Sequence, residues 1–343
     1  MAVQEDLLSF GERYLRNPAA FPAGVAGEPW GDRCLAILFV GGPYTFSGLN
    51  AGQEQSVRQN YQGSLAHDKT PGVESRILKA ADSVFLRFDL RGWVLSFDFA
   101  HDPEAVRVAG IDTLARLDLS SRLRGALWTP VGDGPGFGGI FENYLRVLLA
   151  YRVMECGGAL IHSAAAADKN GGAYLFVGQS GAGKTTISML SREEGLTVLH
   201  DDLNVVFPTK SGPMLTPVPF WGDPNLQAGE RRPYPLRSIF RLSKSDRNGL
   251  EPMEFSETIA TLLACSPCVN HDTYRLDTHV ANLEALVNSI PGYRLAFSRD
   301  GGFSDFCDSV RSGAGDGTIH DLPAAKRRSI PPVVFQSRGR PSI

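Results

Sequence analysis

The stretch Tyr174-Leu-Phe-Val-Gly-Gln-Ser-Gly-Ala-Gly-Lys-Thr185 decides which fold the sequence predicts. Its last part, Gly178–Thr185, matches the pattern G-x-x-x-x-G-K-[ST] at every position. Tyr174–Val177 is typical of a strand, and Thr186–Leu190 is typical of a helix. Because strand, glycine-rich loop and helix in this order are the context that the phosphate-binding motif requires, the stretch predicts a nucleotide site.

The physical basis of this prediction is the backbone of the loop. Glycines let successive N–H groups face one point, and the N-terminus of the following helix adds a partial positive charge. Lys184 is expected to reach the β- and γ-phosphates of a nucleoside triphosphate, and the Thr185 hydroxyl is expected to bind Mg²⁺. The alternative is a glycine-rich turn that binds nothing. The predicted nucleotide-binding residues are Gly178, Gln179, Ser180, Gly181, Ala182, Gly183, Lys184, Thr185 and Thr186.

Two adjacent carboxylates, Asp201 and Asp202, follow the predicted strand Thr197–His200. In folds of this kind ligands lie at the carboxyl ends of strands, where one carboxylate can hold Mg²⁺ and the other can accept the proton of an attacking hydroxyl. Neighbouring side chains of an extended strand point to opposite sides, so a local bend is needed for both to serve one site. A second carboxylate favours a kinase over a simple nucleoside triphosphatase. The alternative is that one aspartate caps the following turn.

His162 lies in the strand predicted just before the loop strand. A single histidine in a strand is often a core residue that has satisfied hydrogen bonds. Because its strand is expected to lie beside the loop strand, His162 can also hydrogen-bond one of the aspartates and tune its basicity.

The order of His162, the loop and Asp201-Asp202 resembles the catalytic domain of HPr kinase/phosphorylase, over about residues 140–300. The resemblance implies an α/β fold with a P-loop catalytic domain related to phosphoenolpyruvate carboxykinase. It also implies that Asp201 is the general base with His162 near it, that Lys184 holds phosphates, and that Thr185 and Asp202 hold Mg²⁺; the roles of the two aspartates can be exchanged. Residues 216–223 differ from that family, so the chain looks more like the wider group of HPr-kinase-related bacterial proteins.

The organisation of the chain follows from composition shifts. We predict a small α+β domain over residues 1–131, the catalytic domain over 138–311 and a flexible tail over 312–343. The glycine-rich residues 131–139 are predicted as a linker, or alternatively as an ordered loop close to a ligand. Predicted strands are Leu35–Val40, Val84–Leu90, Trp93–Phe99, Ala159–Ala167, Ala173–Val177, Thr197–His200, Leu203–Phe207, 238–242 and Tyr293–Phe297; predicted helices lie near Gln4–Leu15, 53–61, Ile140–Glu155, 256–264 and 280–289.

Composition excludes several classes of protein. Hydrophobic residues make up 43% and charged residues 21% of the chain, which excludes collagen-like, coiled-coil and wholly disordered proteins. The net charge of −3 argues against nucleic-acid binding. Without an apolar run of membrane-spanning length or a secretory signal, the sequence predicts a cytoplasmic protein with no membrane association. Cys265-Ser-Pro-Cys268 is read as structural, with a redox or metal site as the alternative.

These observations predict an ATP- and Mg²⁺-dependent kinase that acts on a hydroxyl, expected to be serine, of a protein or peptide. A small-molecule kinase on the same fold and a non-enzymatic nucleotide-dependent switch are the alternatives. The resemblance also allows a homo-oligomer. The side chains that follow the aspartates include Trp221, Asp223, Arg231, Arg232 and Arg237. An arginine here can neutralise charge on the transferring phosphoryl group; the alternative is that each lies exposed to solvent, and none is taken as catalytic.

Overall fold

The computed structural model of the protein describes residue 15 and residues 27–66, 72–80, 97–220, 230–246 and 248–298. Within these ranges the chain is a mixed α/β protein with two eight-stranded sheets. This agrees with the predicted fold class at the level of α/β architecture. The predicted helix near residues 4–15, nearly all of the two strands within residues 84–99, and the tail lie outside the described residues, apart from residue 15 and residues 97–99.

The first sheet is formed by the N-terminal part of the chain. Its order is β2-β3-β4-β8-β7-β6-β5, and β1 pairs with β4. The pairs β3–β4 and β4–β8 are parallel, and the other pairs are antiparallel. The strands are β1 (Glu28–Pro29), β2 (Arg33–Ile37), β3 (Tyr44–Leu49), β4 (Val73–Lys79), β5 (Asp98–His101), β6 (Ala105–Gly110), β7 (Thr113–Asp118) and β8 (Arg124–Thr129).

Helix α1 (Ala51–Tyr61) leaves β3 through a capping box. The Asn50 side chain accepts from the Gln53 N–H, and the Gln53 side chain accepts from the Asn50 N–H. The same two amides also donate to the carbonyls of Gly132 and Val131, at 2.8 Å and 3.1 Å. The start of the glycine-rich segment is therefore held against α1.

Helix α2 (Gly134–Glu155) begins inside the segment predicted as a linker. The linker prediction is therefore wrong for residues 134–139, which form the first turns of this helix. The error arises because glycine has low helix propensity, so a glycine run does not resemble a helix in the sequence. Since glycine has no side chain, the same run allows close approach of α1. A Cβ on Gly138 would lie 3.2 Å from the Asn60 amide.

The C-terminus of α2 is confirmed where the sequence predicts it. Gly157 adopts the left-handed conformation with φ of 80°. The Gly158 N–H donates to the Val153 carbonyl and the Gly157 N–H donates to the Met154 carbonyl. This is a Schellman cap, which turns the chain directly into the second sheet.

The second sheet follows α2 and contains the glycine-rich loop. Its helices α3, α4 and α5 are Lys184–Glu193, Phe255–Ala264 and Leu276–Val287. The bounds of β9 and β10 are those that the sequence predicts. The strands are β9 (Ala159–Ala167), β10 (Ala173–Val177), β11 (Thr197–His200), β12 (Leu203–Thr209), β13 (Gly212–Pro217), β14 (Tyr234–Lys244), β15 (Gly249–Pro252) and β16 (Gly292–Phe297).

The pairing of the second sheet places three strand ends at one edge. Strands β10, β14 and β16 are mutually parallel neighbours, so their carboxyl ends lie together. Strand β9 runs antiparallel to β10 on one side and to β11 and β12 on the other. The pairings β9–β12–β13–β14–β10–β9 form a closed circuit.

Helix α2 packs between the two sheets. The hydrophobic core that holds its buried face contains strands of the first sheet and also Leu160, Leu203 and Val205 of the second. Polar contacts add to this packing: the Arg152 Nε donates to the Gly41 carbonyl at 2.7 Å, and the Tyr144 and Ser75 hydroxyls are 2.7 Å apart. The predicted division into domains at residues 131 and 138 stays a prediction, with α2 in contact with both sheets.

Within the described residues, no helix combines the length and the apolar character needed to cross a membrane.

The buried contact between Tyr144 and Ser75 provides a test of how α2 is attached. We expect Tyr144→Phe to lower the free energy of unfolding by about 1–3 kcal/mol, because a buried hydroxyl loses its partner. Tyr274→Phe, at a residue that is 58% exposed, is the matched control and should change it by less than about 0.5 kcal/mol. Urea unfolding of both variants measures this, and equal effects would contradict the packing described for α2.

Candidate functional site

The glycine-rich loop begins at the same height in the second sheet as the two aspartates, and strand β9 lies between them. Val177, the last residue of β10, pairs with Ser163 of β9. The Ser163 N–H donates to the Asp202 carbonyl at 2.9 Å on the other side of β9. The side chains that follow Val177 and those around Asp202 therefore share one edge of the sheet.

Helix α3 starts at Lys184 with its N-terminus open. The residue before it, Gly183, has φ of 105°, and no side chain caps the helix. A Cβ on Gly183 would lie 2.6 Å from the Phe297 ring, so only glycine fits between the loop and β16. The first N–H groups of a helix lack intrahelical acceptors, and here they face the loop. The arrangement is suited to an anion.

Lys184 folds back onto its own loop. Its Nζ donates to the carbonyls of Gly178 and Gln179 at 2.7 Å and 3.2 Å, and the residue is only 9% exposed. Burial lowers the pKa of Lys184 below its ordinary value, against the opposing effect of Cys265 and Asp202. The two carbonyls hold the ammonium at the base of the loop.

A cavity of about 600 Å³ lies between the loop, the end of β14 and helix α4. Arg241 and Lys244 line it, together with the carboxylate of Glu257. The Arg241 Nη1 lies 3.1 Å from the Glu257 Oε1. The glycine-rich loop, two cationic side chains and one carboxylate therefore line this cavity, which we call the loop cavity.

Asp201 and Asp202 lie in a bend between β11 and β12. These two strands pair with the same side of β9, and the pairing register shifts between Val198 and His200. The bend that both aspartates need in order to serve one site is present at this position. A bulge followed by a bend re-aims side chains that would alternate in a regular strand.

His200 holds this bend from inside. It is 7% exposed, and its Nδ1 accepts from the N–H groups of Asp202 and Leu203, both at 3.1 Å. Because Nδ1 accepts, Nε2 carries the proton and donates to the Phe220 carbonyl at 3.1 Å. Burial lowers the pKa of His200, although the Phe220 carbonyl opposes this. The ring is a neutral, fully bonded support for the aspartates.

The Asp202 carboxylate lies between two side chains from other elements. Its Oδ1 is 3.3 Å from the His162 Nε2, and its Oδ2 is 3.2 Å from the Arg146 Nη1 of α2. Arg146 also pairs with Glu142 at 2.8 Å and lies over the Phe220 ring. Burial by itself would raise the pKa of Asp202, but the His162 hydrogen bond and the Arg146 charge lower it below its ordinary value. The carboxylate is therefore kept ionised.

The structure brings the predicted residues His162 and Asp202 together. The prediction that His162 hydrogen-bonds an aspartate is confirmed, and the contact is made with Asp202, whereas the resemblance implies that His162 lies near Asp201. Lys184 and Thr185 lie at the start of α3, at the same sheet edge. The roles given to these residues stay predictions.

Two residues of the site were missed by the sequence analysis. His200 directly precedes the two aspartates in the sequence, and this adjacency is the signal that could have identified it as a site residue. Arg146 is not among the residues that the sequence singles out; its spacing from Glu142 indicates a helical ion pair, but no sequence signal points to Asp202. That contact joins residues 56 positions apart.

The arginines named after the aspartates have other partners. Arg231 donates to the Ser64 hydroxyl at 3.3 Å, and Arg232 pairs with Glu230. Arg237 lies against Gly172, at the amino end of β10. Trp221 and Asp223 lie outside the described residues.

Thr185 and Asp202 stay the predicted ligands of Mg²⁺. Across residues that the structure describes, no three His, Cys, Asp or Glu side chains meet to hold a metal ion. Cys265 and Cys268 both carry free thiols, and burial raises their pKa values, that of Cys268 to about 12. High thiol pKa values agree with the structural interpretation of this pair.

Two buried histidines provide a matched test of the support for the bend. His200→Leu leaves the N–H groups of Asp202 and Leu203 without their acceptor, and we expect it to lower the free energy of unfolding by about 2–4 kcal/mol near pH 7. His279 of α5 is 1% exposed, and within the part of the chain that the structure describes neither ring nitrogen has a hydrogen-bond partner. We expect His279→Leu to cost less than about 1 kcal/mol at the same pH. Chemical unfolding compares them, and equal losses would contradict the assignment of His200.

The control histidine has a pH signature of its own. Burial lowers the pKa of His279 from its ordinary 6.5 to about 4, so between these values the unfolded chain binds the extra proton. Stability from this group is complete above pH 6.5 and falls as the pH falls, by about 2 kcal/mol at about pH 5. Unfolding of His279→Leu should lack this decrease.

Comparison with known families gives one match. The family model described as SynChlorMet cassette protein ScmC matches residues 142–311, slightly less than half of the chain. The matched region begins at Glu142 in α2 and includes His162, the loop and both aspartates. No curated protein matches the chain. The chain is thus similar to this cassette protein over the second sheet and over most of α2, which contributes Arg146.

Proposed function

We propose that the protein is an ATP- and Mg²⁺-dependent kinase that transfers the γ-phosphoryl group to a serine hydroxyl of a protein or peptide. Its catalytic unit would be a P-loop domain of the HPr kinase/phosphorylase type. The observation that carries the proposal is the placement of the glycine-rich loop level with a bent pair of aspartates, one of which is held by His162 and Arg146. A phosphate site and a carboxylate pair at one sheet edge are the parts that phosphoryl transfer to a hydroxyl needs.

The loop cavity is suited to the triphosphate. The uncapped N-terminus of α3 and the loop N–H groups offer donors to phosphate oxygens, and Lys184 is held at the base of the loop. No atom of the described residues lies within 4 Å of the position of a Cβ on Gly181, so a ligand can approach the backbone there. Arg241 and Lys244 at the end of β14 add positive charge.

Thr185 and Asp202 would hold Mg²⁺, which neutralises charge on the phosphates when it is bound. The Asp202 carboxylate is suited to this role because its pKa is lowered and it stays ionised. Each of its oxygens also has one of its two lone pairs left after the contacts with His162 and Arg146.

Asp201 would act as the base. The lowered pKa of Asp202 makes that carboxylate a weak proton acceptor, so the proton of the attacking serine goes to Asp201. The serine oxygen forms a bond to the γ-phosphorus, the bond from that phosphorus to the β–γ bridging oxygen breaks, and ADP leaves with the electron pair. Arg146 keeps Asp202 charged and His162 keeps it oriented.

Replacement of Lys184 tests nucleotide binding. We expect Lys184→Ala to weaken binding of a fluorescent ATP analogue at least about tenfold, because a charge-assisted contact to phosphate is lost. Lys169→Ala, in the turn between β9 and β10, is the matched control and should bind like the wild type. Equal affinity of all three proteins would contradict the role of Lys184.

The two aspartate variants separate base from metal ligand. With γ-labelled ATP and a lysate of the host, Asp201→Asn should lose transfer by about a hundredfold or more and keep nucleotide affinity. Asp202→Asn should instead need more Mg²⁺ for half-maximal rate, because one ligand is lost.

Three results would change the proposal. A loss of Mg²⁺ affinity in Asp201→Asn alone would exchange the two roles. ADP formation without a labelled macromolecule would favour a small-molecule kinase. Nucleotide binding without any turnover would favour a switch.

A further inference from the structure

A second and larger cavity lies away from the loop, between α1 and the start of α2. It has a volume of about 840 Å³, and we call it the acceptor groove. One wall is the face of α1 that carries Gln55, Ser56, Gln59 and Asn60. The other wall is the glycine-rich start of α2, followed by its Glu142 and Asn143.

Hydrogen bonds tie the two walls of the groove together. The capping box of α1 also holds the carbonyls of Val131 and Gly132, so the entry to α2 cannot move independently of α1. Gly134 has φ of 73°, and a Cβ there would have open space within 4 Å. The backbone of the glycine-rich segment is therefore accessible, which is the alternative that the sequence left open for these residues.

The groove is connected to the aspartates through one arginine. Glu142 lines the groove and pairs with Arg146, which in turn contacts Asp202. Tyr61 of α1 packs against Phe141 of α2, with ring centroids 5.9 Å apart, and burial together with the charge of Glu142 raises the pKa of its hydroxyl. Among the described residues, the buried Tyr61 hydroxyl and the Arg146 Nε have no hydrogen-bond partner. The connection thus contains polar atoms that a bound group or a water molecule can satisfy.

The chemistry of the groove differs from that of the loop cavity. Its two ionisable lining residues, Asp133 and Glu142, are both acidic, whereas the loop cavity is lined by Arg241 and Lys244 with one carboxylate, that of Glu257. The Asp133 carboxylate makes no capping hydrogen bond to α2. The four side-chain amides that line the groove each offer a donor and an acceptor, as each peptide unit of an extended chain does. Acidic and amide groups together fit a polypeptide with basic side chains.

We propose that the acceptor groove binds this chain's own segment Lys326-Arg-Arg-Ser329 and presents Ser329 for phosphorylation. Residues 322–343 contain five basic residues and no acidic residue. The described chain reaches Ser298 just after Phe297, which lies against Gly183 of the loop. The 31 residues from 299 to 329 can span at most about 100 Å, and a tether of this length gives a high effective concentration of the segment.

This inference rests on the proposed function for its chemical step. The Ser329 Oγ bonds to the γ-phosphorus of ATP, the bond to the β–γ bridging oxygen breaks, ADP leaves with the electron pair, and the serine proton goes to Asp201. Docking of the segment in the acceptor groove does not depend on that step, so the two can be measured separately.

The first measurement is of docking, with the full-length protein and no nucleotide. A carbodiimide joins amines to carboxylates that touch, and Lys326 is the one lysine after Ser298. We expect mass spectrometry of the digested monomer to show Lys326 joined to Asp133 or Glu142. Asp133→Asn should remove the first of these products, and Asp98→Asn, at an exposed residue of the distant edge strand β5, should not.

The second measurement is of transfer, with purified protein and Mg-ATP. We expect one added phosphate on Ser329, absent in Ser329→Ala, with a first-order rate that does not depend on protein concentration. Asp133→Asn should slow it about fivefold or more through loss of a charge contact, and Asp98→Asn should leave it unchanged. Circular dichroism of each variant confirms that it folds.

The outcomes distinguish the failure of this inference from that of the proposed function. Crosslinks spread over other carboxylates, or phosphate on a residue other than Ser329 at a rate insensitive to Asp133, would overturn the inference and leave the kinase proposal standing. The Lys326 crosslink without Ser329 phosphate, while host proteins are phosphorylated, would overturn Ser329 as the acceptor. No phosphate on any protein, with a Lys326–Asp133 crosslink, would count against the kinase and support docking.

Discussion

The contact of Arg146 with Asp202 is the interaction on which the rest of the site depends. It joins the helix between the two sheets to the bend that carries both aspartates. A half-buried carboxylate next to the buried His200 ring would be costly without a positive partner, and Arg146 provides it. The same guanidinium pairs with Glu142 and lies over Phe220, so its position is set from three sides.

The bend itself depends on a neutral histidine. His200 accepts hydrogen bonds from two backbone N–H groups with one ring nitrogen and donates one with the other. These bonds satisfy backbone groups of a bend that pairs only partly with β9. His162 then meets Asp202 from the neighbouring strand. The two histidines have different roles: His200 shapes the backbone, whereas His162 orients the Asp202 carboxylate, which the sequence predicts as part of the site.

Helix α2 connects the features that the proposals use. Its first turns form a wall of the acceptor groove, its middle carries Glu142 and Arg146, and its Schellman cap leads into β9 beside the loop. The two cavities differ in charge: the ionisable residues that line the acceptor groove are both acidic, whereas two cationic side chains and one carboxylate line the loop cavity. This separation suits a basic polypeptide on one side and a polyanionic nucleotide on the other.

The sequence by itself determined the strand–loop–helix unit, the bounds of β9 and β10 and the end of α2, because these depend on local patterning, on a motif with fixed spacing and on a glycine cap. It also indicated that Asp201 and Asp202 can serve one site only if the strand bends there. Tertiary structure decided which aspartate His162 contacts, that Arg146 reaches Asp202, and that residues 134–139 are helical. These depend on contacts between residues far apart in the chain and on helix packing, which outweighs the low helix propensity of glycine. Local patterns carry no information about such contacts, so only the packed molecule shows them.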